Sequence, residues 1–169
     1  KVHTCGWDKE SALTPGEELT LFVGQPVWAR FLVGAPAVSL LEFPIVRPND
    51  TWFGANTRAG DLCYAEKIGA RMDLAHLEIC SHRAISVVHI QNRASTQLAL
   101  EKLELPSPNM SLFADGQGRL WTEAVTIERR EDGEDAVIRL DRGAPPQAAS
   151  PRIVGGPRAA LARAGLGRV

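Results

Sequence analysis

Leu120-Trp121-Thr122-Glu123-Ala124-Val125-Thr126-Ile127-Glu128-Arg129 lies amid the strongest local strand and turn signals of the chain. Met110 to Ala114 and the turn Asp115-Gly116-Gln117-Gly118 precede it, and Asp132-Gly133 and the run Ala136 to Leu140 follow it. Glycine reaches positive φ without steric cost, and Asp-Gly supplies the conformation that tight hairpins demand. Two hairpins in succession predict a β-meander. Alternation along Trp121, Glu123, Val125 and Ile127 is imperfect, because Glu123 shares a face with aliphatic residues.

Strand signals continue outward from this stretch. Ile85 to Gln91 carries apolar residues on both of its alternating sets, which suits a central strand covered on both faces. In Leu98 to Leu105 the apolar parity slips between Leu100 and Leu103, which predicts a β-bulge. Nearer the start, Leu19 to Val23 follows the turn dipeptide Pro15-Gly16. Val27 to Val33 reads as a buried strand with Arg30 as its exception, and Ala37 to Phe43 is a further run closed by Pro44. About nine strands and little helix are expected.

The composition agrees with one ordinary domain. The chain has 169 residues, 44% hydrophobic and 23% charged, which excludes disordered and collagen-like classes. No window holds eighteen apolar residues, so no transmembrane segment is expected. A net charge of -1 lacks the basic field of a nucleic-acid binder, so no nucleic-acid partner is expected. The cysteines, Cys5, Cys63 and Cys80, are too few and odd in number for a disulfide framework. They read as reduced thiols of a cytoplasmic protein, and no signal peptide is seen at the start.

From Gly143 the composition shifts to Gly, Ala, Pro and Arg. Arg152, Arg158, Arg163 and Arg168 face no acid in that segment. The expected organisation is therefore a β-sandwich domain over 1–142 and a short irregular or helical basic tail over 143–169, lying outside the core. The fold class expected for the body is all-β: a single antiparallel β-sandwich, immunoglobulin-like in architecture.

Several short strings then occur in a telling order. Leu13-Thr14-Pro15-Gly16 is followed by Leu41-Glu42-Phe43-Pro44, Arg47-Pro48 and Trp52-Phe53-Gly54. Gly60-Asp61-Leu62-Cys63-Tyr64 and Val88-His89-Ile90-Gln91-Asn92 come after them. This order resembles the domain of unknown function 432 family of archaeal and bacterial proteins, over roughly residues 13 to 130. The resemblance implies a fold and a prokaryotic source, and no reaction, because the family has none assigned. Where the family pattern carries an aromatic-rich stretch after the Cys-Tyr strand, this chain has Ala65-Glu66-Lys67-Ile68.

Chemistry is sparse. Gly54 to Gly60 has two glycines and Arg58, but Gly60 is followed by Asp61 rather than the Lys-Ser/Thr of a phosphate loop. Cys80 and His82 are placed to share a strand face as a weak metal alternative, with His89 on the other side, and no Cys-x-x-Cys or His-Glu-x-x-His supports them. No nucleophile sits in an activating context. The four tryptophans read as packing anchors, except that Trp52 and Phe53, adjacent on an extended segment, point to opposite faces. The expected function is a non-catalytic binding or protein-interaction module without cofactor. Its expected partner is another protein or a second copy, with docking onto an acidic surface through the basic tail. The candidate contact residues are Trp52, Phe53, Arg58, Cys63, Tyr64 and His89. The alternative is a small-ligand-binding protein or enzyme around Gly54–Tyr64 with His82 or His89.

Overall fold

Arg83 to Asn92 is the strand around which the molecule assembles, because it has hydrogen-bonded neighbours on both edges and buried residues on both faces. The computed structural model describes residues 3–47, 49–53, 58, 61–66, 69–130, 135–159 and 166–168. In chain order the strands are β1 (His3–Leu13), β2 (Glu18–Pro26), β3 (Trp28–Val33), β4 (Val38–Pro44), β5 (Asn49–Phe53), β6 (Asp61–Glu66) and β7 (Arg83–Asn92). They continue with β8 (Leu98–Leu105), β9 (Leu112–Ala114), β10 (Leu120–Thr122), β11 (Ala124–Arg129), β12 (Asp135–Asp141), β13 (Arg152–Gly155) and β14 (Leu166–Arg168). Among the described residues the only helical elements are two single 3-10 turns, Leu74–His76 and Ser107–Asn109. No helix among them is long and apolar enough to cross a membrane.

The all-β expectation stands. The wholly antiparallel sandwich is corrected: β1 pairs with β6 in parallel, and β7 pairs in parallel with both β10 and β11. Parallel neighbours at the centre of the main sheet do not match the antiparallel order of an immunoglobulin domain. The strands make three hydrogen-bonded sheets, β5-β6-β1-β8, a large sheet running from β13 to β14 with β2 on β7's other edge, and the two-stranded ribbon β3-β4. The sheets are curled, with six strands arranged as a half-barrel.

The stretch around Leu120 to Arg129 forms the predicted antiparallel pairs β9-β10 and β11-β12, but not the expected meander. β10 and β11 both lie along β7 in parallel, and the Asp132-Gly133 turn lies outside the described residues. The imperfect alternation along the stretch has a physical cause. Trp121 lies opposite Ile85 and Val125 opposite Val88, so four steps on one strand match three on the other. One residue is therefore extra, and Glu123 falls between β10 and β11. The side-chain parity inverts there. Trp121 and Ala124 join the core on one face of the sheet, and Val125 and Ile127 join the core on the other. The buried Glu123 carboxylate accepts the Ser111 N–H, which holds the bulge against the start of β9.

The larger core lies between this sheet and β8. Leu21 and Val23 of β2, Val88 and Ile90 of β7, and Val125 and Ile127 of β11 meet Leu98, Leu100, Leu103 and Leu105 there. All four leucines of β8 point inward because the β1-β8 register shifts between Gly6 and Ser11, opposite the expected slip between Leu100 and Leu103. The smaller core, on the other face, gathers Phe22, Ile85, Val87 and Trp121 under Leu77 and Ala148. Gly16, at φ 82, closes the predicted Pro-Gly turn, and its N–H donates to the Asn92 carbonyl.

Two further expectations are corrected. Among residues 143–169, the described ones do not form an irregular or helical tail outside the core: β13 pairs with β9, β14 pairs with β12, and Pro145 and Ala148 are buried. The Gly- and Pro-rich composition hid strands short enough to carry little apolar periodicity. Val27 to Val33 is not a buried strand. Among the described residues β3 and β4 pair only with each other, and Phe31, Leu32 and Val33 are exposed.

Candidate functional site

The β3-β4 ribbon is an unusually apolar surface. Arg30 and Glu42 are the only charged residues from Val27 to Val46. The register places them directly opposite each other, and Arg30 Nε donates to Glu42 Oε2 at 2.9 Å. Between them the tip, Phe31 to Leu41, carries no charge. Of the thirteen exposed large apolar side chains among the described residues, nine lie between Phe31 and Val46. A monomer rarely leaves a contiguous apolar patch in water without a use for it.

The ribbon's two faces differ. Phe31 and Phe43 stack on the outer face, their ring centroids 6.0 Å apart, beside Leu41. Phe31 is 58% exposed and Leu41 55%. Beyond Phe31 the register slips by one residue, leaving Leu40 unpaired and 68% exposed. The inner face carries Trp28, Arg30, Leu32 and Glu42, and these line a cleft of about 390 Å³ between the ribbon and the large sheet.

The far wall of the cleft is the segment through Val154, Gly155, Gly156 and Arg158. That segment is anchored by the Arg158 and Ala159 N–H groups, which both donate to the Pro108 carbonyl at 2.8 Å. Arg158 then reaches across the mouth. Its Nη1 lies 2.6 Å from Glu42 Oε1, and its guanidinium sits 4.0 Å from the centre of the Trp28 ring. Burial pushes the Glu42 carboxyl up, but hydrogen bonds from Arg158 and Arg30, with their charges, outweigh it and hold the group below its usual range.

The floor is polar. Gln25 is buried, its amide nitrogen donates to the Ser86 hydroxyl, and its amide oxygen accepts from Ser107. Ser86 and Thr122 share a hydrogen bond of 2.6 Å, and Thr122 donates onward to the Glu123 carbonyl at 3.0 Å. The interlocked partners fix these side chains, so the floor is pre-organised. The cleft therefore combines apolar walls, a fixed hydroxyl and amide floor, and two guanidinium groups sharing one carboxylate.

The residues singled out from sequence lie elsewhere. Trp52 and Phe53 are on β5, Cys63 and Tyr64 on β6, and the register sets Trp52 opposite Leu62 and Thr51 opposite Cys63. Arg58 is exposed in a turn, and the rest of Gly54 to Gly60 lies outside the described residues. His89 is in the other sheet, opposite Thr20, with its Nδ1 3.0 Å from the Thr20 hydroxyl. It shares a face with Val87, turned away from the leucines of β8, so it is not gathered with the β5-β6 residues. Cys80, a half-buried free thiol, and His82 precede β7 in irregular chain and a turn rather than on a strand. Among the described residues no three His, Cys, Asp or Glu side chains are grouped to hold a metal.

Sequence reasoning missed Gln25, Glu42 and Arg158. One signal was present for Glu42: two lone opposite charges in an apolar hairpin belong across from each other. Arg158 carried no local signal, because its partner is 116 positions away.

No curated protein and no solved structure matches the chain. A family model described as Protein of unknown function (DUF432) matches residues 7–168, nearly the whole chain and both walls of the cleft, and the chain belongs to that family.

Proposed function

We propose that this protein is a non-catalytic interaction module that docks through the outer face of the β3-β4 ribbon, with a second copy of the same chain as its partner. The observation that carries this reading is the charge-free tip, Phe31 to Leu41, with its large side chains more than half exposed. A two-stranded ribbon standing alone in water is marginal, and a partner lying against Phe31, Leu41 and Phe43 would cover the apolar surface that leaves it so. A net charge of -1 opposes self-association only weakly. Free ribbon edges also suit strand addition, a recurring mode of recognition.

Sedimentation velocity over a hundredfold concentration range tests this. The wild type is expected to shift from monomer to dimer, and Phe31→Ser/Leu41→Ser to stay monomeric with an unchanged unfolding temperature. A wild type that stays monomeric throughout, or a double variant that dimerises equally well, overturns it.

A further inference from the structure

We propose that the cleft behind the ribbon is a binding site for a small organic monoanion, a carboxylate with an apolar body and a hydroxyl or amide group. The charges select one negative group. Arg30 and Arg158 bring two positive charges, and Glu42, bonded to both, returns one negative, leaving a surplus of one. A single carboxylate balances that surplus. A doubly charged phosphate would leave one negative charge uncompensated beside Glu42.

The rest of the ligand follows from the walls and floor. Trp28, Leu32 and Val154 offer apolar contact to its body. Ser107 and Thr122, held in the Gln25 network, offer hydroxyl groups at the floor. At Gly155 and Gly156 the wall has no side chain, so a ligand can approach the backbone itself. The volume, about 390 Å³, falls within the range of about 300–1,000 Å³ typical of small-molecule pockets. The outer face of the ribbon takes no part, so this site and the docking reading stand or fall separately.

The test is a ¹H–¹⁵N NMR screen of the full chain against a panel of aromatic and aliphatic monocarboxylates, each with its neutral amide as control. Carboxylates are expected to give saturable shifts at Gly155, Gly156 and the Trp28 indole, with the matched amides at least tenfold weaker. Arg158→Met should weaken the best carboxylate about tenfold. Glu42→Gln, which removes the competing carboxylate, should tighten it several-fold. Gly156→Leu should abolish binding without loss of folding, because a Cβ built at Gly156 meets nothing within 4 Å.

Unfolding temperatures of the three variants separate lost binding from lost structure. Should Arg158→Met fail to fold, the opposite effects of Glu42→Gln and Gly156→Leu still decide. The proposal is overturned if no carboxylate shifts those resonances, if amides bind equally well, or if Gly156→Leu leaves the shifts in place.

Discussion

β7 and the β3-β4 ribbon read alike and end in opposite surroundings. Both carry apolar residues on successive positions, so alternation alone assigns both to the interior. β7 has β2 on one edge, β10 and β11 on the other, and a core on each face. Among the described residues each strand of the ribbon has one neighbour, and no layer covers its outer face. Strand periodicity records which residues share a face and is silent on what lies against it.

That contrast is sharpest in its mutational costs. Trp121→Ala removes a fully buried ring from the smaller core and should cost about 3–5 kcal/mol, measured by denaturant unfolding. Leu41→Ala, on the open face of the ribbon, should stay within about 0.5 kcal/mol of wild type. A ribbon variant as costly as the core variant would break the comparison.

The next largest effect belongs to Asp115, in the β9-β10 turn. Its buried carboxylate accepts from the Trp121 indole at 3.0 Å and from Arg119 Nε at 2.7 Å. Burial pushes this carboxyl up, but those bonds and the Gln117 and Arg119 backbone N–H groups outweigh it and lower it from 3.8 to about 2. Asp115→Ala should cost about 2–3 kcal/mol, since it removes charged acceptors from buried donors. A depressed folded-state pKa stabilises above the unfolded value, so the contribution is complete above about pH 4 and fades as pH falls toward 2. The difference between wild type and Asp115→Ala should shrink over that window, read by unfolding at pH 6, 4 and 2.5.

A smaller effect is expected at Asn92, where β7 ends. Its buried side-chain amide donates to the Leu13 carbonyl at 3.0 Å and the Thr96 carbonyl at 2.9 Å. Asn92→Ala leaves both carbonyls without that donor and should cost about 1–3 kcal/mol, with faster proteolysis near residues 93–97 as a local readout. A still smaller effect is that of Arg30→Ala on the ribbon. The Arg30–Glu42 pair is partly exposed, so its loss should cost less than about 1 kcal/mol, and the cost should fall further in high salt.

How much was legible follows from the same physics. The β9-β10 and β11-β12 pairings, the Pro-Gly turn and the slip in β8 were readable because turn chemistry and side-chain parity are local. The meander was not borne out, because β10 and β11 align along β7 instead of against each other. Glu123 was visible as a flaw in alternation, although its cause, an extra residue facing β7, needed the partner strand. The parallel pairings were not readable, since they join segments more than thirty positions apart. β13 was hidden because Arg152, Ile153, Val154 and Gly155 form an edge strand, exposed along most of its length. The cleft was hidden for the same reason as Arg158: its walls come from residues 25–42, 107–112 and 154–158.

Hydrogen–deuterium exchange, followed residue by residue at two protein concentrations, tests the contrast most directly. β7 amides should exchange slowly and identically in both samples, because their protection comes from within one chain. Ribbon amides, Trp28–Val33 and Val38–Pro44, should exchange quickly in dilute protein and slow severalfold in concentrated protein, as a second copy covers them. Ribbon protection equal to that of β7 in the dilute sample, or ribbon exchange indifferent to concentration, would contradict the account.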